Sequence, residues 1–356
     1  MNALIIGVGL IGGSIGLRLR AMGWHVVGRD SDAVLNDALA VGAIDEIAPD
    51  GFLSGIDLTF VATPVGKLPA AIAQALVDTD GIVTDVGSVK ANLLPLFADA
   101  RVVGGHPMAG SEQEGVRGAR ADLFEGRTWV LTPIAETDND ALALVRSVVS
   151  DFGAEVVSLP PDRHDSMVAV VSHVPHLTAA SLMSLADDRS SEHRGLLRLA
   201  AGGFRDMTRI ASGHPGIWPD ICAENRTAIV AELDRLLEQL STLRTIVAEE
   251  NRDELLEVLE RARLARMALP ARFTKPSELV EVRIPVEDRP GALASITMLA
   301  TELDVSIADI EIAHSVEGDE GVVILLVEAV NGERLEQALR ANDYRPVVRP
   351  LDGQRP

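Results

Sequence analysis

His106 is the residue of this sequence whose type and setting best suit acid–base chemistry. It lies in segment 104–115, directly after the apolar run 101–103, which has the pattern of a short strand. Gly104 and Gly105 allow a tight turn, which would present the imidazole at the end of that strand. Because the free pKa of histidine is about 6.5, an imidazole there can take a proton from a hydroxyl near neutral pH. The alternative is a loop histidine that only caps a turn.

Two arginines and two histidines in the middle of the chain form a second set of candidate residues. Arg205 and Arg209 are four residues apart after a glycine pair, so they either grip a carboxylate together or form a solvated helix face with Asp206. His173 and His176 are three residues apart, as in half of a metal site, or they are one core and one surface histidine. No third ligand stands out near them, and we predict no bound metal.

The elements that must position these residues begin with a glycine-rich turn. The apolar run 3–6 leads into Gly7-x-Gly9-x-x-Gly12 and then into a helix that ends near residue 22. Between a strand and a helix, this motif binds the pyrophosphate of a dinucleotide at the N-terminus of the helix. The predicted cofactor contacts of this turn are Gly7, Gly9, Leu10, Ile11 and Gly12.

Asp30 ends the second predicted strand, 23 residues after Gly7, which is the spacing expected for a carboxylate that binds ribose hydroxyls. It favours NAD, because a carboxylate repels the additional phosphate of NADP. Arg29 beside it could receive that phosphate, so NADP stays open. Thr63 and Pro64 follow another predicted strand, and we expect them to border the same cofactor.

Alternating strand and helix patterns over residues 1–158 predict an α/β fold, a Rossmann-type doubly wound parallel sheet. Ligands of such sheets bind outside the carboxyl ends of the strands. Thr63, Ser88 and His106 all follow predicted strand ends. Their common position favours a catalytic function for His106 over a structural one.

The rest of the chain changes pattern twice. Residues 159–270 are helical and rich in apolar positions, which predicts a domain that is partly covered by a second subunit. Residues 271–278 contain Pro276 and follow Pro270, which predicts a linker. Residues 279–352 follow the order βαββαβ, which predicts a ferredoxin-like domain.

Composition excludes several classes of partner. The chain has 356 residues and a formal net charge of −21, which disfavours nucleic acid and anionic membranes. The single cysteine, Cys222, is typical of a reducing compartment. We find neither a signal segment nor an apolar run that approaches the ~20 residues of a membrane helix, and we expect a cytoplasmic protein.

Six segments together resemble the prephenate dehydrogenase family, which includes the arogenate dehydrogenases. The segments occur in the order of the family and span nearly all of the first 270 residues. They are residues 7–14, 85–90, 104–115, 172–176, 202–211 and 218–226. The resemblance implies a dinucleotide domain, a helical domain through which two chains dimerise, and NAD-dependent oxidative decarboxylation of prephenate.

The resemblance also implies roles for individual residues. His106 matches the histidine that acts as base on the ring C4 hydroxyl, and Ser88 matches a serine that orients this hydroxyl. Arg209 matches the arginine that binds a substrate carboxylate, and we expect Arg205 to assist it. His176 matches a substrate-side histidine. The acidic loop near the side chain of the substrate is matched by Ser111 and Glu112.

The turn at the start of the C-terminal domain resembles that of ACT domains, which bind amino acids. The residues that match the ligand site of ACT domains are Asp288, Pro290, Gly291 and Leu293. Feedback regulation by tyrosine or another aromatic amino acid is therefore expected, unless this domain serves assembly alone.

Two other functions stay open. An arogenate dehydrogenase would take an amine where prephenate has a keto group. A non-catalytic amino-acid sensor would be expected to have lost Ser88, His106 or Arg209, and all three are present. A 3-hydroxyacid dehydrogenase would need a catalytic lysine in the helical domain, and residues 151–272 contain no lysine.

Overall fold

A computed structural model describes residues 1–110, 113–193, 195–269, 279–287, 291–314 and 320–350. The predictions for Ser111, Glu112, Asp288, Pro290 and the linker 271–278 lie outside the described residues. The chain divides into two compact units, residues 1–239 and 240–356. The domain boundaries predicted from the sequence stay predictions.

The first unit begins with an eight-stranded sheet and its helices. Their bounds are β1 (Asn2–Ile6), α1 (Leu10–Ala21), β2 (His25–Arg29), α2 (Asp32–Val41), β3 (Glu46–Ile47), β4 (Leu58–Val61), α3 (Leu68–Asp78), β5 (Ile82–Asp85), β6 (Val102–Pro107), β7 (Thr128–Thr132), α4 (Asn139–Asp151) and β8 (Glu155–Ser158). The strand order is β3-β2-β1-β4-β5-β6-β7-β8, which confirms the doubly wound fold.

The sheet has a hydrophobic core on each face, because successive side chains of a strand point to opposite sides. Ile5 packs in one core with Ile15 of α1 and Val145 of α4. Leu4 packs in the other core with Ile72 of α3. Helices therefore cover both faces, and the carboxyl ends of the parallel strands are left for ligands.

One pair of strands departs from the predicted parallel arrangement. β6 and β7 are antiparallel, with Gly104 opposite Thr132 and His106 opposite Val130. Gly104 and Gly105 lie inside β6 and form no turn. A Cβ on Gly105 would lie 2.7 Å from the carbonyl oxygen of Asp85, so close approach of the backbones requires glycine there.

A helical region follows the sheet. Its helices are α5 (Pro161–Val168), α6 (Val174–Glu192), α7 (Gly202–Thr208), α8 (Trp218–Glu224), α9 (Arg226–Ala248) and α10 (Arg252–Met267). A π-helical turn, Ala169–His173, joins α5 to α6. This wider turn comes just before Pro175, whose ring and missing N–H disfavour a regular helix.

The helical stretch Pro161–Ser190 is long and apolar enough to cross a membrane by length and composition, with 28% of its most apolar window buried. The expectation that no segment approaches this length is therefore wrong. Length and composition alone do not establish a membrane span, and the start of this stretch buries His164 and Asp165 against the α/β part. Its exposed apolar side chains, such as Val170 and Val171, suit a surface that another subunit covers.

The second unit contains the predicted βαββαβ domain. Its elements are β9 (Leu279–Glu287), α11 (Ala292–Glu302), β10 (Ile307–His314), β11 (Glu320–Glu328), α12 (Ala329–Ala341) and β12 (Val347–Pro350). The antiparallel order β10-β11-β9-β12 is that of a ferredoxin-like sheet. Gly291, which precedes α11, has φ +91°, a left-handed conformation that favours glycine. Leu293 in the first turn of α11 is exposed.

Candidate active site

A cleft of about 960 Å³ lies at the carboxyl ends of β1, β4, β5 and β6 and is closed on one side by the helical region. Most of the residues predicted from the sequence line it. These are Gly7, Gly9, Leu10, Ile11, Arg29, Asp30, Thr63, Pro64, Ser88 and His106. From the helical region, His173, Trp218 and Ile221 line the same cleft.

The glycine-rich turn has the geometry of a phosphate cradle. Gly7 has φ +90°, and a Cβ there would lie 2.6 Å from the carbonyl oxygen of Ala62. Gly12 brings α1 against the turn, since its Cβ would lie 2.0 Å from the oxygen of Gly7. Gly9 faces open space, and no side chain caps the start of α1. The first N–H groups of α1 can therefore bind an anion.

Two polar groups beside the turn also fit a dinucleotide. The carboxylate of Asp30 accepts hydrogen bonds from the N–H of Val8 at 2.8 Å and of Ser31 at 2.6 Å, which hold it at the edge of the cleft. The buried hydroxyl of Thr63 has no hydrogen-bond partner among the residues that the structure describes. The hydroxyls of a bound ribose would donate hydrogen bonds to the carboxylate of Asp30. A donor of the cofactor near Thr63 would give its hydroxyl oxygen a hydrogen-bond partner.

Arg29 is engaged elsewhere. Its guanidinium forms an ion pair with Asp78 at the end of α3 and donates to the carbonyl of Pro49 at 3.1 Å. Asp78 is almost fully buried and also accepts from Gln74 at 2.7 Å. The arginine that could have received the phosphate of NADP is thus held by an acidic partner.

His106 lies near the end of β6 and is 9% exposed. Its Nδ1 is 2.8 Å from Nε2 of His164, and Nδ1 of His164 is 2.7 Å from the carboxylate of Asp165. Burial lowers the pKa of His106 well below its usual value, and the nearby His164, Lys90 and His173 lower it further. The imidazole is therefore neutral at physiological pH and available as a base.

Asp85 and Lys90 hold the loop that carries Ser88. The buried carboxylate of Asp85 accepts from the N–H of Gly87 at 2.8 Å and of Gly105 at 3.3 Å, and it pairs with the ammonium group of Lys90. Burial lowers the pKa of Lys90, while Asp85 opposes this change. These contacts fix the end of β5 against β6, and Ser88 and His106 line the same cleft.

The two predicted histidines of the helical region differ in position. His173 is buried and lines the cleft, where its Nδ1 accepts from the amide of Asn225 at 3.1 Å. Burial lowers the pKa of His173 to about 4. His176 stacks on Trp218, with ring centres 3.7 Å apart, and does not line the cleft itself. Among the described residues, no group of three or more potential ligands could hold a metal ion.

The two predicted arginines do not line the cleft in this chain. Arg205 and Arg209 are exposed, and Nε of Arg205 donates to the carbonyl of Ala200 at 3.1 Å. The short turn Arg209–Ser212 packs on α6, the helix that carries His176. Substrate binding by these arginines stays a prediction.

Sequence reasoning missed several residues that the fold brings to the site. Lys90 lies in a segment that carries the family resemblance, but no role was predicted for it. Asn225 also lies in such a segment, 218–226, without a predicted role, whereas His164 and Asp165 lie outside all six segments, and His164 is 58 residues from its partner His106. The adjacent pair of a histidine and an aspartate was the only local signal.

Comparison with known proteins agrees with this geometry. The family model "Prephenate dehydrogenase, nucleotide-binding domain" matches residues 15–158, and "Prephenate dehydrogenase, dimerization domain" matches residues 160–261. The prephenate dehydrogenase of Bacillus subtilis (strain 168) is 34% identical over 355 residues, 95% of this chain and 95% of that protein.

Two solved structures are also similar. Prephenate dehydrogenase from A. aeolicus, in complex with hydroxyphenyl propionate and NAD+, has a TM-score of 0.70 and 33% identity, covering 75% of this chain and 97% of that chain. Synechocystis arogenate dehydrogenase has a TM-score of 0.66 and 29% identity, covering 75% of this chain and 99% of that chain.

Proposed function

The chain belongs to the prephenate dehydrogenase family, and on that premise we propose that it catalyses the NAD-dependent oxidative decarboxylation of prephenate to 4-hydroxyphenylpyruvate and CO2. One observation carries this proposal. The neutral imidazole of His106 lines the same cleft as the glycine-rich turn and the carboxylate of Asp30.

The residues of the cleft supply a base and its alignment. His106 removes the proton of the C4 hydroxyl, and Ser88 orients this hydroxyl. The glycine-rich turn and Asp30 would hold NAD, which would supply the acceptor for the hydride from C4. The ring carboxylate then leaves as CO2, and the gain of aromaticity drives the reaction. The protein therefore has mainly to position the ring and to start the flow of electrons.

Prephenate is a dianion, and a chain of net charge −21 can bind it only through local positive groups. We assign this function to Arg209, with Arg205 and His176 beside it. Ser111 and Glu112 are assigned to the side-chain end of the substrate. These assignments rest on the family resemblance, and the packing of Arg209–Ser212 on α6 supports them.

NAD is the proposed cofactor rather than NADP. Asp30 is held at the cleft edge by two backbone N–H groups, and Arg29 is paired with Asp78. Gly7, Gly9, Leu10, Ile11 and Gly12 would hold the pyrophosphate, and Thr63 and Pro64 would border the cofactor.

Arogenate dehydrogenase is the second candidate, because the similar Synechocystis protein is an arogenate dehydrogenase. In the decisive experiment, the purified protein is mixed with prephenate or arogenate and with NAD or NADP, in all four combinations. The rate of formation of the reduced nicotinamide is measured in each. We expect the highest kcat/KM with prephenate and NAD. Faster turnover of arogenate would favour the second candidate, and no reduction in any of the four mixtures would favour a non-catalytic sensor.

We also propose how the protein assembles and where it acts. The helical region matches a dimerisation domain and exposes apolar side chains, which supports a homodimer. We propose that the enzyme is cytoplasmic and binds neither nucleic acid nor membrane.

We also propose domain limits at residues 158 and 270, which the matched ranges 15–158 and 160–261 support.

The C-terminal domain is proposed to be an ACT domain that regulates the enzyme. Its ferredoxin-like sheet and the left-handed Gly291 before α11 support this assignment. Asp288, Pro290, Gly291 and Leu293 would contact an aromatic amino acid such as tyrosine.

A further inference from the structure

A chain of three buried side chains leads from the cleft into the protein. Nδ1 of His106 lies 2.8 Å from Nε2 of His164, and Nδ1 of His164 lies 2.7 Å from Oδ1 of Asp165. Their exposed fractions are 9%, 0% and 3%. Water therefore has little access to the inner two groups, and their hydrogen bonds are made within the protein.

Asp165 is fixed by the elements around it. Oδ1 accepts from the N–H of Lys90 at 2.9 Å, and Oδ2 accepts from the N–H of Ala91 at 2.8 Å. The side-chain amide of Asn225 donates to the backbone carbonyl of Asp165 at 2.9 Å. Because both carboxylate oxygens already accept from the backbone, Asp165 acts as an acceptor toward His164 as well.

This arrangement determines where the protons of the two histidines lie. Since Asp165 accepts, Nδ1 of His164 carries a proton, and Nε2 of a neutral His164 has a lone pair. Nδ1 of His106 then donates to that lone pair, which leaves Nε2 of His106 as its unprotonated nitrogen. We propose that His164 and Asp165 are positioning residues that hold His106 in this tautomer and receive the charge when it acts as a base.

The proposal rests on the proposed function and specifies each proton. The bond between the C4 oxygen and its hydrogen breaks as Nε2 of His106 takes the proton. The proton on Nδ1 of His106 passes to Nε2 of His164. The positive charge then lies on His164 beside the carboxylate of Asp165, and His106 is neutral again with its proton on Nε2.

Transfer of the positive charge from His106 to His164 makes proton uptake at His106 more favourable. Burial disfavours a cationic His106, so the base alone would be a poor proton acceptor. The charged or titratable groups that face the pair are Lys90 with Asp85, from the loop after β5, and His173, from the π-helical turn. Asp85 neutralises Lys90, so Asp165 is the carboxylate left to balance a cation on His164.

The tautomer is tested directly by 15N NMR of histidine-labelled, ligand-free protein. The chain has eight histidines, and the spectrum of His106→Asn identifies the signals of His106. We expect a protonated Nδ1 and an unprotonated Nε2 in His106. The opposite tautomer would overturn the proposal, and this readout does not depend on which substrate the enzyme uses.

Asp165→Asn gives a sharper test. The N–H groups of Ala91 and Lys90 lie 2.8 and 3.2 Å from Oδ2, so an amide oxygen at that position accepts from both and the NH2 group of the introduced amide faces His164. This reverses both tautomers and places a proton on Nε2 of His106. We expect kcat to fall by roughly 10²–10⁴-fold with little change in KM, as when the aspartate of a catalytic triad becomes asparagine. An unchanged kcat in a folded variant would refute the proposal.

His164 distinguishes positioning from simple packing. His164→Gln keeps a carbonyl that can accept from His106, whereas His164→Leu fills the space with no acceptor. We expect the Leu variant to lose at least about tenfold more kcat than the Gln variant, since a tenfold change is about 1.4 kcal/mol and a hydrogen bond is worth about that much. Equal losses would indicate packing alone. His25→Gln, on the amino end of β2, is the control, and if a variant unfolds the NMR result on the wild type decides.

Discussion

The guanidinium of Arg29 is ion-paired with the carboxylate of Asp78, which is 6% exposed at the end of α3. Asp30, the next residue, faces the cleft. Arg29 and Asp30, neighbours of opposite charge, therefore have different contacts. Arg29 binds Asp78 and holds α3 against the sheet, and Asp30 is available to the cofactor.

This pairing predicts that Asp78→Asn raises the use of NADP. Without the carboxylate, Arg29 is free to contact a 2′-phosphate, and a charge-assisted hydrogen bond contributes about 1.5–3 kcal/mol. We expect kcat/KM with NADP to rise by roughly tenfold and that with NAD to change less. Gln74→Ala is the matched control, because it removes another contact of Asp78 without freeing Arg29. Equal changes with both cofactors would argue against the assignment.

Replacement of His106 by asparagine is expected to lower kcat by about 10²–10⁴-fold while folding and substrate binding are kept. In the wild type, the pKa of His106 is lowered by burial, so its neutral form persists below pH 6.5. The acid limb of kcat against pH is therefore expected to have its midpoint below 6.5. A midpoint above that value, or normal turnover in His106→Asn, would exclude His106 as the base.

His173 is expected to make the protein sensitive to acid. Its pKa falls to about 4 on folding, so the unfolded chain binds the proton more tightly. This contribution to stability is complete above about pH 6.5 and is lost as the pH falls toward 4, a loss of roughly 3 kcal/mol at about 1.4 kcal/mol per pKa unit. Urea unfolding at pH 7, 5 and 4 should show a smaller loss in His173→Gln than in the wild type. Parallel curves would mean that His173 is not buried in its neutral form.

Arg209→Gln is expected to raise the KM for prephenate by roughly tenfold or more, because a charge-assisted hydrogen bond to a carboxylate is lost. The effect on kcat is expected to be smaller. Arg198→Gln, which removes another exposed arginine of the same region, is the control. If Arg209 only pairs with residues of its own helix, KM stays unchanged in both variants.

Tyrosine is expected to inhibit the full-length enzyme through the C-terminal domain. Removal of residues 277–356 is then expected to abolish this inhibition, and Gly291→Val to weaken it, because valine is strained at φ +91°. Initial rates with increasing tyrosine measure the effect. Equal inhibition of the truncated and full-length enzymes would place the tyrosine site in the catalytic cleft.

The sequence predicted those features that depend on neighbours in the chain. Gly7, Asp30 and Ser88 each follow a strand, and parallel strands bring their ends together whatever lies between them. Contacts between residues that are far apart in the sequence have no comparable sequence pattern. The antiparallel β7 depends on Gly104 meeting Thr132, and Asp78 gives no local sign that it will meet Arg29.

The contacts of His106 with His164 and Asp165 could not be predicted from the sequence either. His164 and Asp165 are separated from His106 by several elements, and a short helix with several charged residues, such as α5, is ordinary in sequence. Only the turn of α5 toward the loop at Lys90 brings them into contact. Burial then makes them informative, because a buried polar pair needs partners.

His106 is carried by a strand that is paired with β5 on one side and with β7 on the other. Backbone hydrogen bonds inside a sheet open less often than those of loops, so we expect the imidazole to stay in place through many turnovers. We expect the motion that admits prephenate and releases product to occur in the cleft wall around Trp218. Amide hydrogen exchange is accordingly expected to be slow at residues 105–106 and faster over residues 209–218.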